Sequence, residues 1–302
     1  MKEDAFRQVF REEGRYVNDH CFIAKDDVMH VLYIDGEVGK GCYDLGNEVM
    51  IGHASSKDLV SWEKHEPALV YDASLVHEER GVFAPYVVLY NGVYHMLYSS
   101  HNMEKAQYIC LAFSTDLFHW TRYEDNPVIT PKGTEFLWSS SIPCSCRDPH
   151  IFHEDGKWYV YWVGDMADDP ESSCIALSVS DDHIAFREKG PVLVKRHSFD
   201  EAYVMKTESP CVLKRHGMYY LFFRHGDGTK YCISDDLTDF SSSEVHLLGP
   251  SHASEIFEFK GKWYISSCSR EPGDIHHYTD RIKGLYLAGL DFIGIHPVIR
   301  EL

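Results

Sequence analysis

One pattern is used five times along this chain. A run rich in aromatic and β-branched residues recurs as MHVLYI at 29–34, YHMLYS at 94–99, WYVYWV at 158–163, YYLFFR at 219–224 and WYISSC at 263–268. Such runs favour strands. Each follows a turn signal, at Asp26-Asp27, Asn91-Gly92, Asp155-Gly156, His216-Gly217 and Gly261. Residues of this kind accept the positive φ of a tight hairpin. Ahead of each turn stands another strand-like run: CFIA, YVVLY, HIFH, CVLK and EIFEF. A third element with a Ser-x-Asp signature follows in most units, as SSKDLVSW, STDLFHW, SVSDDHIAF and ISDDLTDF. A strand, a hairpin, a second strand, a third strand and an outer edge, repeated five times, predict an all-β, five-bladed β-propeller. A two-sheet sandwich is the competing architecture, but it does not require five similar units. The propeller is expected over 17–302 as one domain. Residues 1–16 form an N-terminal arm in which 4–13 could make one short helix.

Charge narrows the partners. The chain carries 47 acidic and 29 basic residues, a formal net charge of −18. That opposes binding to nucleic acid or to an anionic membrane surface, both of which need a basic footprint. A neutral ligand is the easier partner. No apolar run approaches the roughly 18 residues of a membrane-spanning helix. The opening MKEDAFRQVFREEGRYVNDH has no apolar core of a secretory signal. Nine cysteines, an odd and irregularly spaced set, read as reduced thiols, and the expected compartment is cytoplasmic. Cys144 and Cys146 have no second pair at zinc-binding spacing. Elbow, phosphate-loop and dinucleotide motifs are also missing from the sequence.

In a propeller the innermost strand of each blade lines a central channel, and its first residues face the channel mouth. The five units place Asn18-Asp19, Ala84-Pro85, Arg147-Asp148-Pro149, Glu208-Ser209-Pro210 and Ser251-His252-Ala253 there. Aligned on their turns, Asp19, Asp148 and Glu208 fall in one register and should meet in one pocket. Converging carboxyls repel, and burial raises their proton affinity, so such a trio calls for a cation or for chemistry. Two carboxyls are the minimum for glycoside cleavage: one protonates the leaving oxygen, and the other is a nucleophile or a base on water.

The same segments resemble known glycosidases. VNDHCFIAKDDVMHVLYI is similar to the opening motif of the five-bladed glycoside hydrolases. GHASSKDLVSWEKHEPAL resembles a blade-one signature of family 32, the β-fructosidases, and RDPHIFHEDGKWYVYWVG matches the Arg-Asp-Pro motif shared by family 32 and its relatives. FAPYVVLYNGVYHMLYSS, ESPCVLKRHGMYYLFFR and SHASEIFEFKGKWYISS are more similar to family 43, the arabinosidases and xylosidases. The resemblance implies Asp19 as nucleophile or general base, Asp148 as transition-state stabiliser and pKa modulator, and Glu208 as general acid. Arg147 would orient Asp148 or a sugar hydroxyl. His20 and Cys21 after Asp19, and Ser209 after Glu208, depart from the usual family 32 motifs.

Further expectations concern the pocket wall. His252 matches a histidine that in family 43 lies at the channel centre, sometimes near calcium. No cofactor is required, and the resemblance leaves room for a structural calcium ion in the channel. Phe83, at the mouth, is a candidate pocket residue. Trp138 offers an aromatic face for a sugar ring, with loop packing the plainer alternative. Arg224 and Arg270 are candidates for a sugar hydroxyl, with structural roles as the alternative. His276-His277 could rim the pocket. The function expected is removal of a terminal furanose or pentose unit (arabinofuranoside, xyloside or fructofuranoside) from an oligosaccharide. The alternatives are a binding propeller without catalysis and a phosphorylase or transferase on the same fold. Oligomeric state is left open.

Overall fold

The computed structural model describes residues 5–196, 206–226, 228–269 and 283–302. Arg270 and His276-His277 lie outside the described residues. Five antiparallel sheets follow one another along the chain. Blade one holds β2 (Arg15–Lys25), β3 (Val28–Glu37) and β4 (Met50–Ser56), with β5 (Glu63–Lys64) and β6 (Leu69–Val70) sharing its outer edge. Blade two holds β7 (Gly81–Tyr90), β8 (Val93–His101), β9 (Gln107–Ser114) and β10 (Thr121–Arg122). Blade three holds β11 (Cys146–Glu154), β12 (Lys157–Asp165), β13 (Ser172–Ser180) and β14 (Arg187–Arg196). Blade four holds β15 (Glu208–Arg215), β16 (Met218–Arg224), β17 (Thr229–Ser234) and β18 (His246–Gly249). Blade five holds β19 (Ile256–Phe259), β20 (Lys262–Ser269), β21 (Lys283–Ile293) and β22 (His296–Arg300).

The repeated turns are what makes this order. Both central residues of the hairpin after each inner strand have positive φ: Asp26 and Asp27, Asn91 and Gly92, Asp155 and Gly156, His216 and Gly217, Lys260 and Gly261. That is the type I′ geometry, whose twist matches that of the flanking strands. The Ser-x-Asp signature is also a turn device. Ser56 Oγ accepts the Leu59 N–H, and Asp58 Oδ1 accepts the N–H groups of Val60 and Ser61. Ser114 with Asp116, and Asp182 after Ser180, repeat the arrangement. These aspartates satisfy backbone donors at the blade rim.

The described stretch 7–13 of the N-terminal arm is not helical. Arg7–Phe10 forms β1, which pairs antiparallel with β21 through Arg7↔Leu287, Gln8↔Tyr286 and Phe10↔Leu285. The other half of β21 pairs with β22. The outer edge of blade five is therefore built from both ends of the chain. An arm carrying the strand-favouring apolar pair Val9 and Phe10 beside an unpaired strand edge gains more from the ladder than from one isolated helical turn. Phe10 also packs edge-on against Tyr33 at 5.5 Å, tying this closure to blade one.

Aromatic second strands fill the space between blades. Trp158, Trp162, Tyr161, Tyr220, Phe222 and Phe223 are fully buried or nearly so. Of the other repeated tryptophans, Trp62, Trp120 and Trp263 are partly buried and pack against these clusters. Trp162 Nε1 donates to Ser178 Oγ at 3.0 Å, which satisfies its polar atom inside the core.

Candidate active site

Four of the five inner strands break their pairing at the same place. The register slips between Val17 and His20, Phe83 and Tyr86, Arg147 and His150, and Glu208 and Cys211, leaving two residues opposite a single residue of the partner strand. Such bulges re-aim side chains at sheet ends. Ala84, Asp148, Ser209 and Ala253 all have φ between 44° and 54° at this point. Left-handed backbone at a non-glycine residue is uncommon, and its recurrence at the blade heads makes it a property of the channel mouth.

These bulges correct the single register expected for the carboxyls. Asp19 is the second residue of its bulge, Asp148 the first, and Glu208 stands just before one, opposite Arg224. Three successive positions of one repeated motif, on three blades, nonetheless converge. A cavity of about 150 Å³ at the channel mouth is lined by Asp19, Asp148 and Glu208 together with Arg147, Phe83 and His252.

Ser209 joins two of the carboxyls. Its backbone N–H donates to Asp148 Oδ2 at 3.1 Å, and its hydroxyl donates to Asp19 Oδ1 at 2.9 Å. The Asp148 N–H in turn donates to Ser99 Oγ at 3.0 Å, which anchors the bulge to blade two. Glu208 is clamped by cations. Arg224 Nη1 donates to Oε1 at 2.7 Å, and Arg147 Nη2 donates to Oε2 at 3.2 Å. His252 Nε2 lies 3.4 Å from Oε1. Arg147 also reaches Asp148, with Nε 3.5 Å from Oδ2.

The consequences for protonation are opposite for two neighbours. Burial pushes Asp148 well above the usual carboxylate range; Asp19 adds to this, and the pull of Arg147 does not offset it. Burial also pushes Glu208 up, but Arg224, His252 and Arg147 outweigh it and hold its carboxyl well below the usual range. A general acid should have a raised pKa. Here Asp148 has one and Glu208 does not, the reverse of what the resemblance implies.

Two expected wall residues lie elsewhere. Trp138 does not line the cavity. Its Nε1 donates to the Gln107 carbonyl at 2.9 Å and its ring meets Tyr108 edge-on at 5.4 Å, so it packs the loop it belongs to. Arg224 is 1% exposed and stands behind Glu208, where it holds the carboxylate instead of meeting ligand. The wall also includes residues that the repeat pattern did not single out: Tyr43 and Glu48 between β3 and β4, His101 and Gln107 in blade two, and Lys206 just before β15. Glu48, with φ of 51°, is fixed by the Tyr16 hydroxyl donating to its Oε1 at 2.7 Å. Lys206 Nζ pairs with Asp165 at 3.1 Å. Tyr43, Glu48 and Lys206 come from non-repeating connections, where periodicity carries no information, while His101 ends β8 and Gln107 begins β9.

Below the mouth the channel narrows to a second cavity of about 20 Å³, bordered by Asp19, Asp148, His20 and Glu255. That is room for about one water or one ion. The donors do not suit calcium, which takes 6–8 oxygen ligands. Asp148 Oδ2 and Asp19 Oδ1 are engaged by Ser209, and His252 faces Glu208. The donor atoms gathered deeper in the channel are an imidazole, a thiol and one carboxyl, those of His150, Cys211 and Glu255.

Five blades around a carboxyl-lined pocket define a recognisable class, that of the five-bladed β-propellers, whose fold solved glycosidases share. A family 43 glycoside hydrolase described as thermostable superposes with a TM-score of 0.71 at 16% identity, over 95% of this chain and 94% of that one. A GH32 beta-fructofuranosidase of Bombyx mori gives 0.69 at 19% identity, over 98% of this chain and 65% of the other. Within that class the sequence decides further: residues 18–213 match the glycosyl hydrolases family 32 N-terminal domain, and the chain belongs to this family. An invertase of Schwanniomyces occidentalis is 28% identical over 163 residues, 49% of this chain and 28% of the relative. A protein named "Probable arabinan endo-1,5-alpha-L-arabinosidase A" from Neosartorya fischeri is 29% identical over 215 residues, 68% of this chain and 59% of the relative. The chain thus spans under a third of the invertase it matches.

Proposed function

We propose that this protein is a glycoside hydrolase that removes a terminal furanose or pentose unit from an oligosaccharide. The observation that carries the proposal is the convergence of Asp19, Asp148 and Glu208 on one cavity. Asp19 acts as the nucleophile, as expected for the retaining chemistry of family 32. Its Oδ1 accepts from the Ser209 hydroxyl, which leaves Oδ2 for the sugar. Arg147 and His252 keep Glu208 in place beside the leaving oxygen. A closed channel favours cleavage from the chain end. Nine cysteines outside any disulfide accord with a reducing compartment such as the cytoplasm.

The proton donor has two assignments. Position and resemblance favour Glu208, which must then take up its proton against the pull of two arginines. Proton affinity favours Asp148, whose carboxyl is held well above the usual carboxylate range by burial and by Asp19. The test of the overall reading is turnover on nitrophenyl arabinofuranosides, xylosides and fructose-containing oligosaccharides, with the product anomer read by NMR. Release of a monosaccharide with retained configuration is expected. Binding without turnover on every substrate would support the non-catalytic alternative, and turnover that depends on inorganic phosphate would support a phosphorylase.

A further inference from the structure

Beneath the catalytic layer each blade contributes one residue: His20, Tyr86, His150 and Cys211 just after the bulges of blades one to four, and Glu255 just before β19, its N–H donating to Ser266 Oγ. The first four pair with Tyr33, Leu97, Tyr161 and Phe222 of their second strands. Channel layers are usually filled by apolar or small side chains, since polar groups buried without partners are costly. This layer is instead built from groups that ligate metals. One imidazole nitrogen of His150, the Sγ of Cys211 and a carboxyl oxygen of Glu255 lie within 4.8 Å of one another, from three adjacent blades. His150 is 2% exposed and Cys211 1% exposed.

From this constellation we propose that the channel floor is a binding site for a thiophilic divalent cation of the zinc type, held by His150, Cys211 and Glu255. Imidazole, thiolate and carboxylate are the donor set that zinc accepts, at about 2.0–2.3 Å from the metal. Those lengths put ligand atoms about 3.5 Å apart in a tetrahedron, so the present separations need contract by little more than 1 Å. The surroundings supply the outer contacts that such sites use. The Ile256 N–H points at Cys211 Sγ at 3.5 Å, a donor for a thiolate. His150 Nε2 lies 3.1 Å from the Val212 carbonyl and 2.9 Å from the Val212 N–H, a contact that fixes its ring. Its Nδ1 has no hydrogen-bond partner among the described residues.

The fourth position of the tetrahedron is open. Glu255 also borders the 20 Å³ cavity under Asp19 and Asp148, which accommodates the one water such an ion would carry. Binding is balanced by protons. Burial favours the protonated forms of both Cys211 and Glu255, and the cation replaces those two protons, which leave to solvent. The site does not depend on the catalytic reading, since none of its three ligands lines the cavity at the channel mouth.

Cobalt titration tests the site. The full-length protein, stripped with chelator and checked for retained near-ultraviolet circular dichroism, is titrated with Co²⁺ and then with Zn²⁺. The expected result is one Co²⁺ per chain, an intense thiolate-to-cobalt charge-transfer band, and displacement of that band by Zn²⁺. Cys211→Ser abolishes the band. Glu255→Gln, which keeps the thiolate, retains the band but weakens affinity at least tenfold, and so guards against a Cys211→Ser protein that fails to fold. Absence of stoichiometric binding overturns the proposal, as does a band that survives in folded Cys211→Ser. Tight calcium binding indifferent to both substitutions also overturns it.

Discussion

Replacing Arg224 by Met probes the clamp on Glu208 directly. The Arg224 guanidinium is fully buried, and its Nη1 donates to Glu208 Oε1 at 2.7 Å. Hydrogen bonds to a charged group contribute about 1.5–3 kcal/mol. One pH unit corresponds to about 1.36 kcal/mol, so loss of this contact should raise the proton affinity of Glu208 by about 1–2 units. A general acid works only while protonated, so the rate falls as pH rises through its pKa. A higher pKa therefore moves the basic limb of the pH–rate profile upward by the same amount if Glu208 is the donor. Breaking a buried pair from one side also destabilises the fold by about 3–5 kcal/mol, which urea unfolding reads independently. Folded protein with an unmoved basic limb would refute Glu208 as the proton donor and leave Asp148 in that role.

Other substitutions separate the parts of the site. Asp148→Asn should stabilise the protein at pH 7. The folded-state pKa of Asp148 lies above its ordinary 3.8, so the native state is penalised as pH rises above that value, and the gain should vanish below about pH 3.8; thermal unfolding across pH reads this. Ser209→Ala removes the hydroxyl that holds Asp19, a contact worth about 0.5–1.5 kcal/mol, and should lower kcat/KM about 2- to 10-fold with little change in melting temperature. Deleting residues 1–13 strips β1 from β21 along with the Phe10–Tyr33 contact and should lower the melting temperature while blades two to four keep their strand signal. Trp162→Ala empties a fully buried position and should cost about 3–5 kcal/mol in urea unfolding, without any direct effect on the pocket.

The parts of this molecule that repeat were legible before any coordinates. The turn at Asn91-Gly92 needs positive φ at both positions whatever surrounds it, and the same local demand marked the other four hairpins. Asp19, Asp148 and Glu208 were found because every inner strand begins at the channel mouth. Their offset within the bulge was not readable, because sequence spacing does not show where a ladder gains a residue. Arg7–Phe10 was misread because its pairing partner lies some 280 residues away, and a local pattern cannot reveal a strand edge that only ring closure creates. Tyr43, Glu48 and Lys206 come from connections with no counterpart in other blades. Arg224 ends a repeated aromatic run, yet only its register opposite Glu208 gives it the role of counter-ion. Cys211 and Glu255 looked like ordinary strand residues until the five strands were assembled around one axis.

The account rests on three carboxyls acting together on a glycosidic bond, and Asp19→Asn tests this most directly. Turnover of the best nitrophenyl glycoside is to be compared between the wild type and this variant, each shown to unfold at a similar temperature. The account predicts a loss of at least about 10²-fold in kcat. A folded Asp19→Asn protein that turns over substrate as fast as the wild type would contradict it.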